Sequence, residues 1–392
     1  MEDCIESICE STLFRIPRLI AMDKLRIAAF GFRSLPPSEG SAGADKFALE
    51  LFPRIGNRGH SVVVYNRQYP NKEVAKKSYH NITIKTFSTT KKQGFDTLLH
   101  SFKCTWDIIV NNTADIIHIQ NGGNSIWALP LRLFGKKVFI SQDGVDWKRN
   151  KWSWYAKLYL KFSAYLTAWI PNQVIFDNVI AKNLFEERFN KKFEFIPFGS
   201  EVSPVEEDNA ILEKYQVSKG GYYLFVGRFI PDKWLHYLIP AFIQAQTDKK
   251  LILIGGSPNP SPYDEQLKSM ANDQVVFGGF AYGDDVIRLM RNCYCYIQPS
   301  DVEGLSPVVL TVMGLGVPLI VSDIEENIYA VEDTATTFKK GDIVSLASQI
   351  KYAENNHAYI LDLSERAQKR ALQQFNWDKV TEDHIRVFAK KK

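Results

Sequence analysis

The sequence predicts an α/β chain built as two parallel-sheet domains facing a central cleft. Three observations carry that expectation. At 392 residues the chain exceeds one ordinary domain and is long enough for two sizeable cores. Two successive series of apolar strand, loop and helical segment run along it, the order of βαβ units. Between them, residues 193–199 and the polar stretch 200–209 read as a linker. Hydrophobic content of 45% with 23% charged residues fits a soluble globular chain rather than a disordered one.

The elements follow in order. Residues 1–22 are expected to be a loose extension: the start, MEDCIESICE, is acidic and lacks the basic n-region of a signal peptide. Residues 25–30 are an apolar strand that opens into a Gly/Ser/Pro-rich loop, 31–43. Residues 44–55 then place Phe47, Leu51 and Ile55 on one helical face, and Gly59-His60 turns into a strand at 61–65. Further strands are expected at 81–87, 115–120, 137–141 and 173–176, with helices between them such as 91–111. The second series has strands at 222–226, 250–254, 275–277, 293–298 and 318–321, and residues 345–392 are mostly helical. The expected division is 1–22 extension, 23–199 first domain, 200–374 second domain and 375–392 terminal helix.

Several classes of function are disfavoured. The first loop lacks the G-x-G-x-x-G spacing, so a dinucleotide cofactor is not expected. The five cysteines form neither a disulfide framework nor a zinc spacing and suit a reducing compartment. No run of eighteen apolar residues suggests a spanning helix, and no nucleic-acid partner is expected. Net charge is +4, unevenly spread: residues 1–200 hold 28 Lys and Arg against 18 Asp and Glu, a balance of +10, and the remainder hold 20 against 26, a balance of −6. A basic half suits an anionic partner; a solvated surface accounts for it equally.

Chemistry-bearing residues cluster at expected strand ends. From Gln298 the chain reads strand end, polar loop Asp301-Val302-Glu303-Gly304-Leu305-Ser306, a helix opening on Pro307, then a buried strand. Ligands of open α/β sheets sit beyond the carboxyl ends of the strands, where Glu303 can accept hydroxyl hydrogen bonds or simply face water. Gly227-Arg228 ends another strand, with Lys233 five residues on. Two such cations can clamp a diphosphate, or lie exposed in a turn. In the first βα loop, Gly40-Ser41-Ala42-Gly43 and Asp45 can admit a phosphate or sugar to the backbone, or form a tight turn with a helix cap. Asp143 opens a charged loop after a strand, and His118 ends another. Residues 147–170, WKRNKWSWYAKLYLKFSAYLTAWI, interleave basic and aromatic residues, which suits either an anionic membrane surface or a helix with a buried aromatic face. Asp284-Asp285 after Gly283 reads as a helix cap rather than a metal pair.

The segment from Glu303 through Gly316-Val317-Pro318 resembles the donor motif of family 4 glycosyltransferases, in which Glu, seven residues and a second Glu precede a Gly-x-Pro strand; here the second position is Thr311. Gly227-Arg228 with Lys233 is similar to the same family's cation pair, with Trp234 where the family usually has Gly. The string Asp143-Gly144-Val145-Asp146-Trp147-Lys148-Arg149-Asn150-Lys151-Trp152, with Ile196-Pro197-Phe198-Gly199-Ser200-Glu201, resembles the bacterial rhamnosyltransferase-like branch. Phe375-Asn376-Trp377 is similar to the family's Phe-x-Trp before its last helix.

The resemblance implies a GT-B fold: two Rossmann-like domains, the first on the acceptor side, the second on the nucleotide-sugar side, and a final helix crossing back. It implies retaining transfer of a hexose or deoxyhexose, rhamnose-like, to a glycan or lipid-linked acceptor in surface polysaccharide synthesis, without cofactor or metal. Arg228 and Lys233 would neutralise the leaving diphosphate. Glu303, with Gly227, Gly304, Leu305, Ser306 and Thr311, would hold the donor. Asp143, Gly40, Ser41, Ala42, Gly43, Asp45 and His118 would face the diphosphate and acceptor. Apart from the resemblance, the cysteine usage, the basic first half and residues 147–170 lead to the expectation of a cytoplasmic protein with weak contact to an anionic membrane. Because a Thr hydroxyl cannot hold a ribose with two oxygens, a paralogue that keeps the fold and binds without turnover is the alternative.

Overall fold

The computed structural model describes residues 24–36, 43–70, 77–90, 94–145, 147, 153–200, 205–206, 208–257 and 261–390. The expected extension 1–22 and the loop residues Gly40, Ser41 and Ala42 lie outside this set.

The first domain contains, in chain order, β1 (Arg26–Phe30), α1 (Gly43–Asn57), β2 (Ser61–Gln68), β3 (Ser78–Tyr79), β4 (Ile82–Ser88), α2 (Phe95–Val110), β5 (Ile116–Gln120), α3 (Ala128–Leu133), β6 (Lys137–Gln142), α4 (Trp154–Trp169), β7 (Gln173–Phe176), α5 (Val179–Phe189) and β8 (Glu194–Phe195). Its sheet runs β3-β4-β2-β1-β5-β6-β7-β8, parallel except for β3 against β4. Alternation along the strands divides the core. Ile27, Ala29, Val62, Val64 and Phe139 face α1, whereas Ala28, Phe30, Tyr65, Ile117 and Ile140 pack with Cys104 and Ile108 of α2 and Leu131 of α3. The segment 193–199, read above as linker, instead supplies β8 and three core side chains, Phe193, Ile196 and Phe198. Apolar alternation there is strand-like, but a two-residue edge strand is too short to stand out in sequence.

The second domain contains α6 (Ala210–Lys214), β9 (Tyr222–Arg228), α7 (Leu235–Ala245), β10 (Lys250–Gly256), α8 (Pro262–Met270), β11 (Val275–Gly279), α9 (Asp284–Asn292), β12 (Cys295–Gln298), α10 (Pro307–Gly314), β13 (Leu319–Ser322), α11 (Glu325–Val331), β14 (Thr336–Phe338), α12 (Ile343–Asn355) and α13 (His357–Gln374). The sheet order is β11-β10-β9-β12-β13-β14, all parallel. The chain reverses its direction across the sheet between β9 and β12, and such a switch point opens a crevice at the strands' carboxyl ends.

The last helix, α14 (Trp377–Ala389), packs on α1 of the first domain. Its Trp377 ring meets Phe47 and Phe198, and Phe388 meets Phe139. Both side chains are buried, worth about 1.5–3 kcal/mol each. Gly199 admits this crossing: a Cβ there would sit 2.3 Å from the Trp377 ring. Ser200 bridges to Asn376 at the same place, so both strands of the connection between domains run side by side.

Candidate active site in the cleft

The two strands that flank the second sheet's switch point deliver the principal charged residues. β9 ends at Gly227 and Arg228; Gly227 pairs with Gly255 of β10, and Arg228 is exposed. The turn Pro231–Lys233 follows, closed by Lys233 N–H donating to Ile230 O at 2.9 Å. Trp234 then holds φ +51°, the left-handed region that glycine enters without strain, at the position where the resembled family has Gly. Its ring stacks on Tyr237 at 4.5 Å.

Beyond β12, the loop carrying Glu303 is tied to that turn. Asp301 N–H donates to Asp232 O at 3.0 Å, and Ser322 Oγ of β13 donates to Ser300 O at 2.6 Å. Tyr296 OH donates to Gln298 Oε1, and Gln298 Nε2 donates to Ser300 Oγ and to Glu303. Glu303 Oε1 thus receives Lys233 Nζ, Gln298 Nε2 and Ser300 Oγ, and the Lys233 and Glu303 side chains are 17% and 9% exposed. No described residue donates to Glu303 Oε2. Lys233 carries three N–H donors and commits one to Glu303. Arg228 makes no ion pair among the described residues. The arrangement leaves a carboxylate oxygen, ammonium protons and a guanidinium at one strand-end crevice, a constellation suited to hydroxyls beside a diphosphate.

Ser306 caps α10 by accepting from Val309 N–H, with Pro307 at the first helical position and Leu305 buried beneath. Gly304 abuts the first domain: a Cβ there would lie 3.5 Å from Asp143 O and 4.0 Å from Asn178 Nδ2. Asp143 follows β6, and its Oδ1 is buried without a hydrogen-bond partner among the described residues. Asn178 follows β7 and caps α5 through Ala181 N–H. A narrow crevice between Asn178, Leu305, Glu326 and Tyr329 continues this seam. Glu326 of α11 escaped the sequence reading. Burial pushes its pKa up, and the nearby carboxylates Glu325 and Glu303 add to the rise. Asn178 and Glu326 carry no motif; only their place at strand ends marks them.

Three expectations need correction. His118 does not face the cleft: it is fully buried, caged by Phe32, Phe47, Phe52 and Phe388, with Nε2 on Gln120. Burial, reinforced by His384, lowers its pKa to about 3. Asp45 is buried and accepts from the N–H groups of Arg33 and Ser34 at 2.7 and 3.3 Å, so it shapes the first loop from beneath. Thr311 is 2% exposed, and its hydroxyl donates to Pro307 O at 2.9 Å, one turn back in its own helix. It does not stand beside a ribose. Gly43 opens α1 and is exposed. Among the described residues, no three His, Cys, Asp or Glu side chains form a metal-ligand group, and no helix is long and apolar enough to cross a membrane.

This fold is that of GT-B glycosyltransferases. The structure matches sucrose-phosphate synthase from Thermosynechococcus elongatus with a TM-score of 0.80 at 16% identity, covering 93% of this chain and 98% of that one. It matches HepE of Anabaena in complex with UDP-glucose with a TM-score of 0.76 at 16% identity, covering 93% and 99%. In sequence, residues 208–373, the second domain, match the family described as "Glycosyl transferases group 1". Residues 113–201 match a domain of unknown function (DUF1972). The capsular polysaccharide biosynthesis glycosyltransferase CapM of Staphylococcus aureus is 26% identical over 212 residues, 50% of this chain and 54% of that protein. The O-antigen chain mannosyltransferase B of Escherichia coli is 22% identical over 184 residues, 45% and 48% of the two chains. The matches thus span about half the length of these curated relatives.

Proposed function

We propose that this protein is a retaining family 4 glycosyltransferase that moves a hexose or deoxyhexose from a nucleotide-sugar donor to a glycan or lipid-linked acceptor, in the cytoplasm, during surface polysaccharide synthesis. The carrying observation is the Lys233–Glu303 pair at the switch point, with Glu303 Oε1 saturated and Oε2 without a partner among the described residues. Arg228 and the two uncommitted protons of Lys233 stabilise charge growing on the diphosphate leaving group. Glu303 Oε2 accepts from donor-sugar hydroxyls. Asp143, brought against Gly304 across the seam, stands on the acceptor side with its Oδ1 unpartnered among the described residues. Closure of the seam excludes water that would otherwise take the activated sugar. No cofactor or metal is assigned a role. The UDP-glucose in the HepE complex and the polysaccharide roles named for CapM and O-antigen mannosyltransferase B support the substrate classes. The rhamnosyltransferase-like loop from Asp143 favours a deoxyhexose.

A thermal-shift panel of nucleotide sugars, followed by donor hydrolysis without acceptor, tests this reading. A ligand at about 100-fold its dissociation constant adds about 2.7 kcal/mol of stability. Stabilisation by one donor with slow hydrolysis is the expected result; no response to any nucleotide sugar overturns it. A second reading is a binding paralogue without turnover: at position 311, where the resembled family carries its second donor-site Glu, this chain has a buried Thr turned back into its own helix. The loss of one charged hydrogen bond costs about 1.5–3 kcal/mol, about tenfold to 150-fold in affinity. Donor stabilisation without hydrolysis or transfer supports this second reading.

A further inference from the structure

We propose that the α2–α3–α4 face of the first domain is a docking plane for an anionic membrane, with a basic cavity at its far end that takes lipid headgroups. Helices that cover a sheet normally bury one stripe and expose polar residues on the other. These do not. On α2, Phe95, Phe102, Trp106 and Val110 recur at helical spacing and are all exposed. On and beside α3, Leu129, Leu133 and Phe134 are exposed, Leu133 by 78%. On α4, Trp154, Leu158, Phe162, Tyr165 and Trp169 form a second stripe, Trp154 exposed by 79%. The opposite face of α4 supplies the buried Leu160, Ala164 and Ala168, so this helix is apolar on both sides.

The three helices cover the same face of the sheet, α2 packing against α3 and the short turn before α3 packing against α4. Their exposed stripes therefore lie on one side of the domain. A soluble monomer rarely leaves so continuous an apolar surface open.

Charge identifies the occupant. Helix α4 carries Lys157 and Lys161 and no acid. At the far end of α4 a cavity of about 530 Å³ is lined by Arg132, Lys137, Lys191, Asn172 and the exposed Trp169. Lys191 sits over the Trp169 ring at 5.3 Å. An indole beside cations at the edge of an apolar face suits the headgroup level of a bilayer, where aromatic rings are half wet and lysines meet phosphates.

The orientation is informative too. β6 ends at the cleft beside Asp143, and α4 runs back antiparallel from that end toward the start of β7. Trp154 therefore lies at the cleft end of the stripe and Trp169 at the opposite pole. A bilayer along this plane passes the acceptor side of the cleft. This inference stands on the surface alone and does not depend on the donor chemistry.

The test is co-sedimentation of the full chain with vesicles of phosphatidylcholine alone and of phosphatidylcholine with phosphatidylglycerol in equal parts, at low and high salt. Two variants accompany the wild type: Trp154→Ser/Leu158→Ser/Phe162→Ser, which removes exposed apolar groups, and Arg132→Ala/Lys137→Ala at the cavity. The expected result is binding to anionic vesicles only, weakened by salt. The cavity variant should bind about 30-fold more weakly, the equivalent of about 2 kcal/mol at about 1 kcal/mol per cation. The apolar variant should also lose binding while its melting temperature holds. Equal binding to both vesicle types, or none to either, overturns the proposal. So does a wild-type dimer in light scattering that the apolar variant turns into a monomer, because a second copy would then cover the face. Inorganic phosphate raising the melting temperature while anionic vesicles do not bind also overturns it.

Discussion

Replacing Lys233 by Ala should separate the stability of the donor loop from its binding chemistry. Lys233 and Glu303 are an ion pair whose side chains are 17% and 9% exposed. Removing one partner of a buried pair costs about 3–5 kcal/mol because the other charge is stranded. Here Gln298 and Ser300 continue to donate to Glu303, which places the loss near about 3 kcal/mol. For a domain of this size that lowers the melting temperature by about 6–12 °C. The double variant Lys233→Ala/Glu303→Gln removes the stranded charge and should recover most of the melting temperature. It should not recover donor binding, since one charge-assisted contact to a diphosphate is worth about 1.5–3 kcal/mol, about tenfold to 150-fold in affinity. Melting curves with and without UDP-glucose and other nucleotide sugars read both quantities on one sample. Recovery of donor affinity in the double variant would refute the reasoning, since Lys233 would then act only by neutralising Glu303. Full stability and full affinity in the single variant would remove both roles at once.

Arg228 is exposed and unpaired among the described residues, so Arg228→Ala should lower turnover at least about tenfold with an unchanged melting temperature; unchanged turnover at saturating donor removes it from the clamp. Thr311→Glu should destabilise the chain by several kcal/mol without tighter donor binding, because the site is buried and its hydroxyl is engaged; tighter binding at constant melting temperature would restore the residue to the ligand. Transfer should persist in a strong chelator, and loss reversed by magnesium or manganese would show a metal requirement. Burial lowers His100 and His118 to about 3 and His384 to about 4. These histidines stay neutral in the fold but bind protons when unfolded, so stability is complete above about pH 6.5 and falls as pH drops toward the folded values. Each should contribute a loss of about 2 kcal/mol by pH 5, visible as a falling melting temperature; a flat profile from pH 7 to 5 contradicts their burial as neutral groups.

Most strands of both sheets were legible in the sequence, because parallel strands covered on both faces read as continuous apolar runs. No such run marks the edges of the first sheet, where Ser78–Tyr79 and Glu194–Phe195 are two-residue strands defined by their neighbours' hydrogen bonds. Arg228, Lys233 and Glu303 were legible as strand-end charges, since the end of a parallel strand is where a side chain can meet a ligand. The pairing of Lys233 with Glu303, 70 residues apart, was decided by the sheet order that sets β9 beside β12. Tertiary packing also decided which strand-end groups are available. His118 and Asp45 carry the right chemistry, but α14 and its own aromatic neighbours close over the histidine, and the first loop's backbone takes the aspartate. The apolar face of α2–α3–α4 illustrates the same division. The sequence by itself determined that aromatic and basic residues interleave along residues 147–170. Only the fold decided that the aromatic stripe points outward, because the sheet beneath can accept just one face of each helix.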